Sequence, residues 1–315
     1  MTSGLLMDIP AGSVIGHEYC GEVVAVGAGV DHLKVGQFVT AMPVNGCGHC
    51  FACVMGCPVA CPQIQSMAGG FGEYARIAAA GAVIPPPFLS KTDGALIEPL
   101  AVGLRGARLS EMRPGARVAV LGAGSVGLAV IYWARRLGAG RIVAVSRPAR
   151  RAELAGKMGA DGFEPLGDEE AIRISAVLGG MPEVVFECVG APGMMQKVIE
   201  LVEPDGTVVS LGFCPTPDPV LPLFATWKRV TMKFSFAYDL REFRRSADSL
   251  SAGHVEPRMM VSRTVGFDAF PDVFEALRAG GTETKVHLDP WADNSDGTSA
   301  FSSAKRQGSS TQKGQ

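Results

Sequence analysis

Residues Arg117–Leu137 read RVAVLGAGSVGLAVIYWARRL, and the fold is decided in this stretch. Arg117 to Leu121 are rich in branched apolar side chains, as a buried strand requires. They run directly into Gly122-x-Gly124-x-x-Gly127. Apolar residues then recur at helical spacing through Leu128, Ile131, Tyr132 and Leu137. Strand, tight turn and helix in that order form a dinucleotide site. Gly122 lets the chain turn, Gly124 lets the backbone approach a pyrophosphate, and Gly127 lets helix and strand pack closely. Ser125 and Val126 open the helix, whose unpaired N–H groups and positive dipole end face the phosphates. A close-packed turn without a ligand is the plainer alternative, and the strand and helix on either side favour the dinucleotide.

Outward from this turn, apolar strand candidates alternate with helix-like segments: Arg117–Leu121, Arg141–Val145, Glu183–Glu187, Thr207–Leu211 and a weaker Val230–Phe236. Such alternation predicts an α/β fold with a doubly wound parallel sheet. Helical spacing precedes it over Ala95–Leu109 and follows it over Asp239–Leu250 and Phe270–Leu277. Before it the pattern is β-like from Glu22 to Gly27, over the GQFVTAMPV run from Gly36, and again over Gly69–Ile77 and Val83–Ile84. Three prolines, Pro85 to Pro87, end the last of these. The 315 residues are too many for one modest core, so two domains are expected. Hydrophobic content of 47% with 19% charged residues fits a folded soluble chain, and a net charge of −2 without a basic stripe excludes nucleic acid as a natural partner. The uncharged run from Val118 to Ala134 holds the three glycines of the turn, so no membrane is expected, and with no secretion-like start the localisation is cytoplasmic. Residues 291–315, rich in Ser, Gly, Thr and Gln, are expected to form a disordered tail.

Five of the eight cysteines fall between residues 47 and 61. Cys47-x2-Cys50-x2-Cys53-x7-Cys61 offers four thiolates on a short Gly/Pro-rich loop, the donor set of a closed tetrahedral zinc. The site is expected to be structural, pinning a lobe with little core of its own. Cys57 is a spare thiol that could substitute for Cys61, and His49 points to solvent. At the end of the second Rossmann-type strand, NAD-binding turns place an acid on the ribose diol. Here that position holds Ser146-Arg147, with Arg150 and Arg151 close behind and no carboxylate. A hydroxyl and guanidinium groups suit a 2′-phosphate, which predicts NADP(H) over NAD(H). Val189-Gly190 and Leu211-Gly212-Phe213 end later strands and should line the nicotinamide.

These motifs together resemble the zinc-dependent medium-chain dehydrogenases, the alcohol, polyol and threonine dehydrogenase group. The resemblance rests on Gly16-His17-Glu18 before Gly21-Glu22-Val23, the four-cysteine spacing, Gly69-Gly70-Phe71-Gly72-Glu73-Tyr74, Glu98-Pro99-Leu100-Ala101-Val102, the glycine turn and Phe186-Glu187-Cys188-Val189-Gly190. It implies a GroES-like, mainly-β catalytic domain over residues 1–97, with its zinc lobe at 47–61, interrupted by a Rossmann domain over 98–236 and resumed over 237–290. It further implies His17, Glu18 and Glu98 at a catalytic zinc, where Glu18 is a ligand or tunes one. The implied reaction is reversible oxidation of a secondary alcohol or polyol to its carbonyl by hydride transfer to the nicotinamide, in a dimer or tetramer. Arg105, where relatives often carry His, is assigned to the cofactor phosphates or to a neighbouring helix. The family's first catalytic ligand, a cysteine in a Cys-Gly-x-Asp-like motif, has no counterpart in the sixteen residues before His17, where Asp8 stands alone. A start upstream of Met1 is therefore expected, a short chain with weak or absent catalytic zinc being the alternative. Two other functions compete: a zinc-free reductase of activated double bonds, and a catalytically impaired NADP(H)-binding protein.

Overall fold

The computed structural model describes residues 10–292 other than 148 and 168. Of the sixteen residues before His17, residues 1–9 with Asp8 lie outside the described ones, as does the expected tail from residue 293 onward. The first part of the chain forms short strands: β1 (Cys20–Glu22), β2 (Phe38–Ala41), β3 (Val44–Asn45), β4 (Gln65–Ser66) and β5 (Ala82–Val83). β1 and β5 flank β2 antiparallel, and Val23, Leu33 and Val39 form a small core beside them. Between β3 and β4 lies the cysteine-rich loop with one helical turn, α1 (Phe51–Val54).

The chain then enters α2 (Lys91–Leu109), nineteen residues long. Its start is fixed by a capping box. The Ser90 side chain accepts from the Asp93 N–H, and the Asp93 carboxylate accepts from the Ser90 N–H at 2.7 Å. Strands and helices alternate from there: β6 (Arg117–Leu121), α3 (Ser125–Arg136), β7 (Arg141–Val145), α4 (Ala152–Met158), β8 (Gly162–Glu164), α5 (Glu170–Leu178), β9 (Val184–Glu187), α6 (Met194–Leu201), β10 (Thr207–Ser210), α7 (Pro222–Lys228) and β11 (Thr231–Phe234). The six strands form one parallel sheet in the order β11-β10-β9-β6-β7-β8. Strand period two decides which face each residue serves. Val118, Val120, Ile142, Ala144 and Phe186 pack into one core with α2 and α3, whereas Ala119, Leu121, Val143, Val145 and Val185 pack into the other with α5 and α6. The order reverses between β6 and β9, and a crevice at the carboxyl ends of those two strands is where an open α/β sheet binds ligands.

The last elements are α8 (Leu240–Ser251), β12 (Val261–Val265), α9 (Phe270–Arg278) and β13 (Lys285–Leu288). α8 lies on α2, with Phe243, Ala247 and Leu250 in the same core as Leu96, Leu100 and Tyr132. Met260, beyond α8, belongs to that core as well. β12 and β13 pair parallel around α9.

Three expectations about elements are corrected. The strand predicted over Glu22–Gly27 shrinks to Cys20–Glu22, since past Val23 the chain faces solvent at Val24 and Val26. No strand forms over Gly69–Ile77. The amides of Gly69, Gly70 and Phe71 donate instead to the carbonyls of Gly16 and Ile15, which ties this segment to the stretch before His17. The strands β8, β12 and β13 were not anticipated. Among the described residues no helix is long and apolar enough to cross a membrane.

Candidate active site

Glu98 sits in mid-α2, 6% exposed, and the segment before β1 delivers its neighbours. A Cβ on Gly94 would stand 2.2 Å from the Cys20 sulfur, so glycine there lets β1 close onto α2. That contact carries His17 and Glu18 to Glu98. One ligand atom from each of the three lies within 4.8 Å of the others, with His17 exposed, Glu18 half-buried and Glu98 buried. Cys20 is outside this group, against Gly94. Burial, and then the charge of Glu18, push the Glu98 carboxyl up to about 8. A buried acid facing a second acid is an arrangement that a cation would relieve.

Two further groups face this cluster from the end of the chain. Lys285 at the start of β13 forms an ion pair with Glu18. Tyr238 is buried and stacked on Phe243, and burial, followed by the charge of Glu98, pushes its hydroxyl well up. Neither was legible in the sequence. They stand more than a hundred residues from Glu98, and no local motif marks them.

The glycine turn has the geometry of a phosphate cradle. Gly122 has φ +98°, and a Cβ on Gly127 would fall 1.7 Å from the Gly122 carbonyl oxygen, so any side chain there would force α3 off β6. A Cβ on Gly124 would meet nothing within 4 Å, which leaves open space before the α3 N-terminus. Gly124 caps α3 without a side-chain hydrogen bond, so the first amides remain available to an anion. Val126 packs against the core, and the Ser125 hydroxyl lies 3.5 Å from the Thr284 carbonyl. Thr284 and Lys285 are adjacent. Consecutive residues thus touch the cradle and the Glu18 cluster, which sets the two sites side by side.

The residues assigned to the adenosine end are placed as follows. Ser146 and Arg147 follow β7, Ser146 half-buried and Arg147 exposed. Arg151 donates from Nη2 to the Glu283 carbonyl at 2.6 Å, and Arg150 from Nη2 to the Gly281 carbonyl at 2.9 Å. These two guanidiniums therefore hold the 281–283 segment in this arrangement. Val189 and Gly190 follow β9, and Leu211, Gly212 and Phe213 follow β10. Val189 and Phe213 are exposed, and the Phe213 ring meets Phe236 edge-on at 6.0 Å. Arg105 turns to the neighbouring helix, its Nη1 3.2 Å from Asp239 at the α8 cap.

In the cysteine loop, sulfurs of Cys47, Cys50, Cys53 and Cys61 lie within 4.8 Å of one another. The backbone N–H groups of His49 and Cys50 hold the Cys47 thiol down to about 6. The Cys50 N–H donates to the Cys47 sulfur, and the Cys47 and Gln63 N–H groups donate to the Cys61 sulfur, each at 3.3 Å. Amides turned onto sulfur favour thiolate, the form that binds metal. Cys57 is outside the four. Burial and then the neighbouring Asp239 raise its thiol. His49 is exposed, with Nδ1 2.9 Å from the Cys47 carbonyl.

Two family models match the chain: an alcohol dehydrogenase GroES-like domain over residues 1–87 and a zinc-binding dehydrogenase over 125–252. Sorbitol dehydrogenase of Bacillus subtilis is 30% identical over 288 residues, which cover 88% of this chain and 81% of that protein. A zinc-binding dehydrogenase of Sinorhizobium meliloti, solved with NADP bound, is 31% identical with a TM-score of 0.79 and coverage of 91% and 87%. An alcohol dehydrogenase (rspB) of Escherichia coli solved with NADH is 27% identical with a TM-score of 0.80 and coverage of 87% and 83%.

Proposed function

This chain belongs to the zinc-dependent medium-chain dehydrogenase family, and on that premise we propose that it interconverts a secondary alcohol or polyol and its carbonyl with NADP(H) in preference to NAD(H). The observation that carries the reading is the adjacency of two sites. A His-Glu-Glu cluster and a glycine cradle are touched by the consecutive residues Lys285 and Thr284.

The donor sets fit the groups that the family implies. His17, Glu18 and Glu98 would hold a catalytic zinc, leaving a position open for a substrate oxygen, and Cys47, Cys50, Cys53 and Cys61 would hold a closed structural one. When bound, the catalytic zinc supplies a Lewis acid to the substrate oxygen and the nicotinamide supplies the hydride acceptor. The rest falls to the chain's own residues. Lys285 pairs with Glu18 and offsets part of the negative charge that Glu18 and Glu98 place together. Gly122, Gly124, Ser125, Val126 and Gly127 present backbone to a pyrophosphate. Val189, Gly190, Leu211, Gly212 and Phe213 flank the ring. Ser146 and Arg147, at a strand end that carries no carboxylate, accept a 2′-phosphate, and Arg151 joins them by exchanging the Glu283 carbonyl for it.

The catalytic lobe is assigned to residues 1–97 and 237–290 and the cofactor domain to 98–236. All eight cysteines are free thiols, which suits a reducing cytoplasm. Among the described residues β11 is paired only on its β10 side, and exposed Leu223, Trp227 and Phe234 border this sheet edge, a surface suited to a second copy of the chain. The test is polyol-dependent reduction of NADP+ by the wild-type chain and by His17→Ala. Loss of turnover with cofactor affinity retained is expected. Unchanged turnover in the variant would overturn the reading.

A further inference from the structure

Glu187, the last residue of β9, is 2% exposed. Its Oε1 accepts from the Val189 N–H at 2.6 Å and from the Gly190 N–H at 2.8 Å, and its Oε2 accepts from the Ser210 hydroxyl at 3.3 Å. Its main-chain carbonyl accepts from the Leu211 and Gly212 amides at 2.8 and 3.0 Å. A Cβ on Gly212 would stand 2.5 Å from Oε2 and 2.3 Å from the Gly190 nitrogen. One buried carboxylate is therefore clamped between the loops after β9 and β10, backbone to backbone. Every side-chain partner is a neutral N–H or O–H, and among the described residues no cationic side chain forms an ion pair with it.

Neutral donors stabilise a carboxylate without cancelling its net charge. A buried charge that is left uncancelled acts at longer range than one at a solvated surface. The oxidised nicotinamide ring is a cation and the reduced ring is neutral. We propose that Glu187 is a positioning and charge-setting residue of the cofactor site, its carboxylate held behind Val189 and Gly190 so as to favour the oxidised, cationic ring over the reduced one. This rests on the reading that Val189, Gly190 and Phe213 line the nicotinamide. Unit charges about 10 Å apart at an effective dielectric near 20 change an equilibrium by about tenfold.

The test is to titrate NADP+ and NADPH separately into the full-length protein and to compare dissociation constants. Glu187→Gln keeps the shape and removes the charge. It should weaken NADP+ about tenfold while moving NADPH less than about twofold. Glu187→Asp keeps the charge and should retain the wild-type ratio while loosening both forms. Equal weakening of both forms by Glu187→Gln, or no change in either, would overturn the inference. If Glu187→Gln does not fold, Ser210→Ala serves. Without the hydroxyl donor to Oε2 the charged carboxylate is less stabilised, so the ratio should move towards NADPH, and a ratio that shifts further towards NADP+ or stays fixed sinks the idea. A wild-type chain that binds neither form would overturn the cofactor reading itself, and this inference with it.

Discussion

Asp93 joins the start of α2 to the Arg258 segment through one carboxylate. It caps α2 by accepting from Ser90, and it takes Nε and Nη2 of Arg258 at 2.5 and 2.8 Å across 165 residues of chain. Burial pushes its carboxyl up, but the Arg258 and Ser90 donors outweigh that and hold it below the usual 3.8. The unfolded chain therefore binds more protons than the folded one in the window below about 3.8, so stability rises with pH there. The contribution is fully present above 3.8 and lost as pH falls through the depressed value. Asp93→Asn should cost about 2 kcal/mol at neutral pH, a value reduced by the partial exposure of Arg258. It should also flatten the acid limb, as read by urea unfolding at pH 3 and pH 7. At the cofactor, Arg147→Ala should raise KM for NADP+ about tenfold and leave KM for NAD+ within about twofold, because only the former carries the 2′-phosphate. Initial-rate kinetics with both nucleotides check it. In the sequence, His17 and Glu18 stand out only through the resemblance that the Gly-His-Glu stretch carries, since a His-Glu pair by itself is more often an ordinary surface or core pair. Lys285 and Tyr238 do not stand out, because they meet Glu18 and Glu98 only in the folded chain.

Among the elements, those whose role is written in their own sequence were read correctly. β6 and β7 are apolar on both faces because both faces are covered, and the glycine turn between β6 and α3 carries its packing constraint in its spacing. Elements that depend on a distant partner were misread. Gly69–Ile77 has strand-like composition, yet its first amides are spent on Ile15 and Gly16. β8 is three residues long, too short to show a period. The glycine turn makes a direct prediction. Gly127→Ala places a methyl group against the Gly122 carbonyl, so α3 must move and cofactor affinity should drop by more than about tenfold, while Gly156→Ala, with open space at its Cβ, should leave it unchanged. Fluorescence titration with NADPH distinguishes the two. For the cysteine lobe, stripping metal with a strong chelator should raise amide hydrogen exchange over residues 47–61 and leave β6, β7 and β9 protected, since those strands lie in cores that the lobe does not enter. Exchange in the lobe that is unaffected by metal removal would contradict a structural zinc.

At the scale of the whole molecule, the parallel sheet organises the parts. Its strand order reverses between β6 and β9, and the loops after those strands carry the cradle and the Val189-Gly190 turn. The two ends of the described chain meet beside that crevice through the Glu18–Lys285 pair. Polarity in the sequence announced the sheet, but the parallel pairing of β12 with β13, which brings Lys285 into place, depends on long-range register that no periodicity encodes. The exposed edge at β11 should pair with another copy of the chain. Sedimentation at micromolar concentration should show a dimer or larger assembly, and Phe234→Lys with Trp227→Lys should shift it towards monomer with the fold intact. One chain would hold two zinc ions of different kinds, one on the four-thiolate loop and one on His17, Glu18 and Glu98. Zinc content by elemental mass spectrometry, with wild type and His17→Ala compared at known protein concentration, tests it most directly. Two zinc ions are expected per wild-type chain, and one per His17→Ala chain, which retains its four-thiolate site. One zinc in both proteins, or two in both, would contradict it.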